Sequence, residues 1–206
     1  MPAVRKSKQA VVSEFRCAEI LDAARKVFAR RGFDGATVDE IAEAAGLAKG
    51  TVYLYFPSKR EIYLASVRQG MSRLLDQIKR NLALAPAPAA KVRAFIETRV
   101  RYAEENRDMV KIYHSEFGNF GPTHLTKEFR SLYLEQVKTL GAVLEEAAAG
   151  GQIRAVRTDA AAFTICEMVR GLIVQRVFGW SRESAANDVD FLFDMVWKGL
   201  AACTGS

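Results

Sequence analysis

Lys49, Gly50, Thr51, Tyr53 and Tyr55 crowd into one short run of the chain. Together they carry the groups needed to read the edge of a nucleic acid duplex. The lysine ammonium can donate to a guanine edge or a phosphate. The threonine and tyrosine hydroxyls can reach phosphates or base edges, and their carbon atoms can cover a thymine methyl. Gly50 lets backbone approach a ligand closely. Val52 and Phe56, spaced i and i+4, interrupt the run and share one face of a helix. They can anchor it from behind while the polar set faces outward.

The elements that must hold this run are written around it. Thr37 is a good N-cap, and Glu40 three positions on completes the capping-box pattern for a short helix carrying Ile41, Ala42 and Ala45. Gly46 can end that helix in the left-handed conformation, and Leu47 can fill the corner. The second helix then runs over 49–56 until Pro57 stops it. Two short helices joined by a tight glycine turn form a helix-turn-helix, whose second helix can lie in the major groove of DNA. A preceding helix over 13–31, with Ile20, Ala24, Val27 and Phe28 on one face, closes a three-helix head over Ile41, Leu47, Val52 and Phe56.

The stretch Gly32-Phe33-Asp34-Gly35-Ala36-Thr37-Val38 leads into Ile41-Ala42, Ala45-Gly46-Leu47 and then Lys49-Gly50-Thr51-Val52-Tyr53-Leu54-Tyr55-Phe56-Pro57-Ser58-Lys59. It resembles the TetR family of bacterial transcription regulators, over about residues 20–64. The resemblance implies an all-α, nine-helix architecture with an N-terminal DNA-binding head and a C-terminal helical body. It also implies that Thr37, Tyr55 and Lys59 bind phosphates while the second helix enters the major groove. Leu54 stands where the family often has an aromatic or a histidine, so no polar contact is expected there.

Composition agrees with a polyanionic partner at one end. The 206 residues carry a formal net charge of +6, at a pI near 9.3. Residues 1–31 hold eight lysines and arginines against Glu14, Glu19 and Asp22, a net of +5, which leaves the remainder near neutral at +1. Arg5, Lys6 and Lys8 in the tail can add a phosphate or minor-groove contact. Cys17, Cys166 and Cys203 show no metal spacing, and the reading is of reduced thiols without zinc or disulfide. With no signal-peptide pattern and no apolar run of spanning length, a cytoplasmic protein without membrane or cofactor is expected.

We divide the chain into a head, residues 1–57, and a body, residues 58–206. Ser58 and Glu61 cap a long helix over 58–84, the covalent link between the two. The segment 85–89 reads as a connector. Helices follow over 90–106, 107–116, 123–149 (ended by Gly150-Gly151), from Thr158 or Asp159 to 180, and 184–202. The last two are apolar on more than one face, which asks for a second buried surface. In the family these helices pair with their copies, so Phe163, Val177, Phe178, Phe193, Val196, Trp197 and Leu200 are candidate homodimer contacts. The family body also encloses a largely apolar pocket for a small-molecule inducer. Candidates for its walls are Phe95, Tyr113, Phe117, Phe129, Tyr133 and Cys166, with Tyr102, His114, Arg170 and Gln175 as orienting polar groups.

No phosphate loop, nucleophile elbow or zinc-binding helix motif occurs, and His114 and His124 alone make no metal site. The expected function is therefore a repressor that binds palindromic operator DNA as a homodimer and is released by a small molecule. An activator of the same fold is the alternative, followed by an all-helical enzyme or interaction protein. Duplex binding with a steep salt dependence separates the regulator from both of the latter.

Overall fold

In the computed structural model, residues 8–118 and 126–202 are described. They form nine helices: α1 (Lys8–Gly35), α2 (Val38–Ala44), α3 (Lys49–Tyr55), α4 (Lys59–Leu84), α5 (Pro88–Glu105), α6 (Arg107–Gly118), α7 (Thr126–Ala149), α8 (Thr158–Val177) and α9 (Ala185–Leu200). The one strand-like contact among the described residues is an isolated bridge between Ile153 and Ala201. No helix among them is long and apolar enough to cross a membrane.

The chain separates into two compact units. The first takes in the described residues up to Gln69 and those from Lys111 to Gly118. Ile20, Ala24, Val27 and Phe28 on α1, Ile41 on α2, Val52 on α3 and Ile62 on α4 are buried in it. Burying each large apolar side chain contributes about 1.5–3 kcal/mol. Phe28 meets Tyr63 edge-on with ring centroids 4.8 Å apart, and Arg25 donates to the Gln69 amide at 2.8 Å. These contacts bind the first turns of α4 to α1. By its contacts the start of α4, up to Gln69, groups with α1.

The second unit comprises Gly70–Val110 and the chain from Thr126 onward. Here α5 packs against α7, α8 and α9, and α7 lies along α8. Its core is built from Phe95, Ile96, Val100, Leu140, Leu144, Ile165, Val169, Val189, Leu192 and Val196. Arg176 ties three helices together. It bonds Asp188 at 2.5 Å and pairs with Glu104, while Arg107 donates to the Val177 carbonyl at 2.9 Å.

Several boundaries differ from the sequence reading. α5 starts at Pro88, inside the expected connector, because proline suits the first helical position. The N-cap of α8 is Arg157, with no side-chain cap bond. The Thr158 hydroxyl instead faces Glu145 on α7 at 3.5 Å. α8 ends at Val177 rather than 180 because Gly179 takes φ 76°. The Trp180 N–H then returns to the Gln175 carbonyl at 2.7 Å, the closing bond of a Schellman motif.

Candidate functional site

The exposed face of α3 is set by the two elements before and after it. Thr37 caps α2 as a full capping box. Its Oγ1 accepts from the Glu40 N–H at 3.2 Å, and Glu40 Oε2 accepts from the Thr37 N–H at 3.1 Å. That backbone bond, with Arg31 alongside, holds the Glu40 carboxyl below its ordinary range. At the other end of α2, Gly46 adopts φ 66°. The Leu47 N–H closes on the Ala42 carbonyl at 2.9 Å and the Gly46 N–H on Glu43 at 3.0 Å. An L-residue with a Cβ would be strained at that φ, so the tightness of the turn depends on glycine.

Beyond the turn, Val52 is fully buried and Phe56 nearly so. Lys49, Gly50 and Tyr53 are exposed, and Thr51 and Tyr55 are half-buried. The structure thus gathers five of the expected contact residues on one accessible ridge. Lys49 is already engaged: its Nζ lies 2.8 Å from Asp39 Oδ2 on α2. The hydrogen bond and charge of Asp39 raise its pKa above the ordinary lysine value. Lys59 is engaged too. Its ammonium donates to the Ala36 carbonyl at 2.9 Å and the Asp34 carbonyl at 3.2 Å, and sits 4.7 Å over the Phe33 ring. Sequence reasoning missed both ties, because each joins residues from different elements. It also discounted Leu54, which at 82% exposure is the most open large apolar group of the ridge.

Of the expected ligand-contacting residues, Phe95, Tyr102, Tyr133 and Cys166 are buried in the second unit. The Tyr102 hydroxyl donates to the Gly70 carbonyl at 2.7 Å. Arg170 is half-buried and spends its guanidinium on Glu167, at 2.8 Å from Nε and 2.5 Å from Nη2. Tyr133 donates to the same carboxylate. Burial pushes the Glu167 carboxyl up, but the bonds from Arg170 and Tyr133 outweigh it and hold the group below its ordinary value. Burial raises the Cys166 thiol, against a smaller opposing effect of the Arg99 charge. Gln175 is exposed near the end of α8 and does not join this cluster. His114 is half-buried on the part of α6 that groups with the first unit. The side chains of Tyr113, Phe117 and Phe129, together with His124 and Cys203, lie outside the described residues. Among the described residues, no group of three His, Cys, Asp or Glu could hold a metal ion.

The polar groups that sequence reasoning passed over are Arg99 on α5 and Gln136 on α7. Arg99 is 4% exposed and Gln136 wholly buried. Arg99 Nη1 donates to the Cys166 carbonyl at 3.3 Å, and its guanidinium lies 5.6 Å from the Phe95 ring centre.

The expected dimer contacts divide. Val177 and Val196 are already covered within the single chain and belong to its own core. Phe163 and Phe178 stay exposed, Phe193, Trp197 and Leu200 are half-buried, and Trp180, Phe191 and Met195 add exposed apolar surface. Phe193 and Trp197 stack at 6.1 Å. Asp190, Phe191, Asp194, Met195 and Lys198 on α9 line, with Arg93 of α5, an open groove of about 710 Å³.

Two family models match the chain. Residues 20–66 match the model described as bacterial regulatory proteins, tetR family. Residues 85–174 match the tetracyclin repressor-like C-terminal domain. Among curated relatives, the transcriptional repressor AcnR of Corynebacterium efficiens is 36% identical over 63 residues, 31% of this chain and 34% of that protein. The transcriptional activator FasR of Mycolicibacterium smegmatis is 33% identical over 91 residues, 44% of this chain and 42% of that protein. The matched segments thus span about a third to two-fifths of these relatives' length. Among solved structures, the regulator FadR from Bacillus subtilis in complex with stearoyl-CoA superposes with a TM-score of 0.80 at 19% identity. That match covers 89% of this chain and 98% of the other.

Proposed function

The chain belongs to the TetR family of bacterial transcription regulators, and from that premise we propose that it is a repressor, binding palindromic operator DNA as a homodimer and released by a largely apolar small molecule. The observation that carries the DNA reading is the outward ridge of α3. A helix of seven residues presents Lys49, Gly50, Thr51, Tyr53 and Tyr55 while Val52 and Phe56 are sunk behind it. Such a helix suits the major groove, where lysine and hydroxyl side chains distinguish base edges. On this reading Thr37, Tyr55 and Lys59 bind phosphates, as the resemblance implies.

Dimerisation is supported by the apolar side chains of α8 and α9 that a single chain leaves uncovered, Phe163, Phe178 and Phe191 among them. Two reading helices can occupy successive grooves only when their separation is near one turn of DNA, about 34 Å, or a multiple of it. α4 is one continuous helix from Lys59 to Leu84 with residues in both units, so a change in its tilt alters that separation. A ligand favouring the mismatched spacing lowers DNA affinity only by its difference in affinity between the two states. DNA weakens the ligand by the same factor, ordinarily about 5- to 150-fold. An apolar ligand is supported by the apolar composition of the second unit. The like-folded FadR with stearoyl-CoA points to the same class.

The test is selection from randomised duplexes followed by anisotropy titration across salt concentrations. The expected product is a palindrome whose affinity falls steeply with salt. A selection that enriches no sequence, or binding indifferent to salt, sinks the reading.

A further inference from the structure

The buried side-chain nitrogen and oxygen atoms without a hydrogen-bond partner, among the described residues, are Arg99 Nε, Gln136 Nε2 and Gln136 Oε1. Folding does not favour this. A buried polar group that has lost water and gained no partner destabilises the chain, and a buried charge does so more strongly unless it is paired. Arg99 shows both problems. No carboxylate among the described residues lies within ion-pair distance of it. Glu167, a carboxylate that feels its charge, is occupied by Arg170 and Tyr133. The Cys166 carbonyl and the Phe95 ring offset part of the burial but supply no negative charge.

Arg99 touches α8, and Gln136 shares the face of α7 that Tyr133 turns toward the same segment. Arg99 reaches the Cys166 carbonyl from α5. Gln136 lies one turn beyond Tyr133 on α7, and Tyr133 reaches Glu167, the neighbour of Cys166. Arg99 lies against the Phe95 ring, and Leu140 follows Gln136 by one turn of α7; both of these apolar residues are buried. In such surroundings a charge-assisted bond is stronger than at a wet surface, and a missing one more costly.

We propose that Arg99 and Gln136 form the anchor for the carboxylate of an apolar acid, and that this acid is the molecule to which the regulator responds. The inference rests on the ligand-released reading above and specifies its ligand class. The free donors, Arg99 Nε–H and Gln136 Nε2–H, suit the two oxygens of one carboxylate. Gln136 Oε1 needs a donor, which a hydroxyl close to the carboxylate supplies. A hydroxy acid therefore satisfies all three groups, a simple acid two, and the corresponding alcohol leaves the guanidinium without a counter-charge.

The probes are β-hydroxydecanoate, decanoate and decanol, titrated into the full chain by calorimetry and into its operator complex by anisotropy. Wild type should bind the two acids at least about tenfold more tightly than the alcohol, a gap of one charge-assisted hydrogen bond, with the hydroxy acid first. Arg99→Met should bring decanoate and decanol to within about twofold of each other. Gln136→Leu, nearly equal in volume, should raise the melting temperature of the free protein and abolish the preference for the hydroxy acid. This second variant reports even where Arg99→Met fails to fold. Equal binding of decanoate and decanol by wild type, or an undiminished acid preference in both variants, overturns the anchor. If decanol releases the operator as well as the acids do, the ligand-released regulator stands and only the anchor falls. If none of the three binds or releases it, both readings fail together.

Discussion

Replacing Lys59 by alanine tests two roles at once, and the structure makes them separable. The ammonium donates two hydrogen bonds to backbone carbonyls, those of Ala36 and Asp34, and lies over the Phe33 ring. Lys59 is half-buried, so each bond is taken at the low end for such contacts, about 0.5–1 kcal/mol. The ring adds about 0.5–1 kcal/mol at a site this open. The variant should therefore lose about 2 kcal/mol of local stability in the segment that carries Thr37 and the start of α2. Hydrogen exchange of the head amides reads this directly, as about a 30-fold acceleration in the absence of DNA. The third N–H of the ammonium remains for a phosphate. If it makes that contact, the slope of log affinity against log salt should fall by about 0.9. Unchanged exchange refutes the bracing role. A uniform loss of affinity with an unchanged slope refutes the phosphate contact, leaving Lys59 as a brace for the reading head.

Other parts of the molecule make their own predictions. Asp39→Asn should release Lys49 and remove a negative charge beside the duplex, so affinity should rise on all sequences; an unchanged or weaker affinity counts against it. Lys49→Ala and Tyr53→Phe should change the sequence recovered by selection, at about 1–3 kcal/mol for a good base contact, and recovery of the wild-type site would remove that residue from base readout. Phe193→Glu should yield monomers by sedimentation, whereas Val196→Glu should unfold the chain because Val196 lies in its own core; a folded dimer from either refutes its assignment. Glu167 has a depressed pKa, so its stabilising bonds are present above the unfolded value, near 4.5, and lost as pH falls through the folded one. Glu167→Gln should accordingly lower the melting temperature at neutral pH and flatten its decline in acid, and parallel acid profiles for both proteins would contradict that.

What the sequence made legible was local. Thr37 with Glu40, Gly46, Val52 and Phe56 each obey rules that act within one or two helical turns, and the structure realises each of them. What it hid depends on chain folded back from far away. Tyr102 reads as a candidate ligand group until its hydroxyl is seen bonded to the Gly70 carbonyl. Arg170 reads as an orienting ligand group until its guanidinium is seen bonded to Glu167, which Tyr133 holds from the other side. The grouping of the first turns of α4 with α1 reflects the same limit. A capping motif at Ser58 marks where a helix begins, but contacts such as Phe28 with Tyr63 decide which unit its first turns join.

Three groups of residues break the ordinary rules of placement, and each matches one partner of the proposed regulator. Leu54 is an apolar side chain left in water on the reading helix. Arg99 and Gln136 are polar side chains left unsatisfied in the interior. Phe191 and Met195 are apolar side chains left uncovered on α9. Selection for stability alone would remove all three, since local consistency is what folding rewards. On the proposed reading DNA covers the first, an apolar acid satisfies the second, and a second copy of the chain covers the third. Restoring the rule should then separate stability from function. Leu54→Gln should leave folding intact and weaken operator binding. Gln136→Leu should stabilise the chain and blunt its response to acids, and Met195→Lys should leave the monomer folded while weakening association. Melting temperature, operator anisotropy and sedimentation on the three variants measure this together. A variant that keeps its function while its stability rises removes that site from the argument, because nothing would then have maintained the breach.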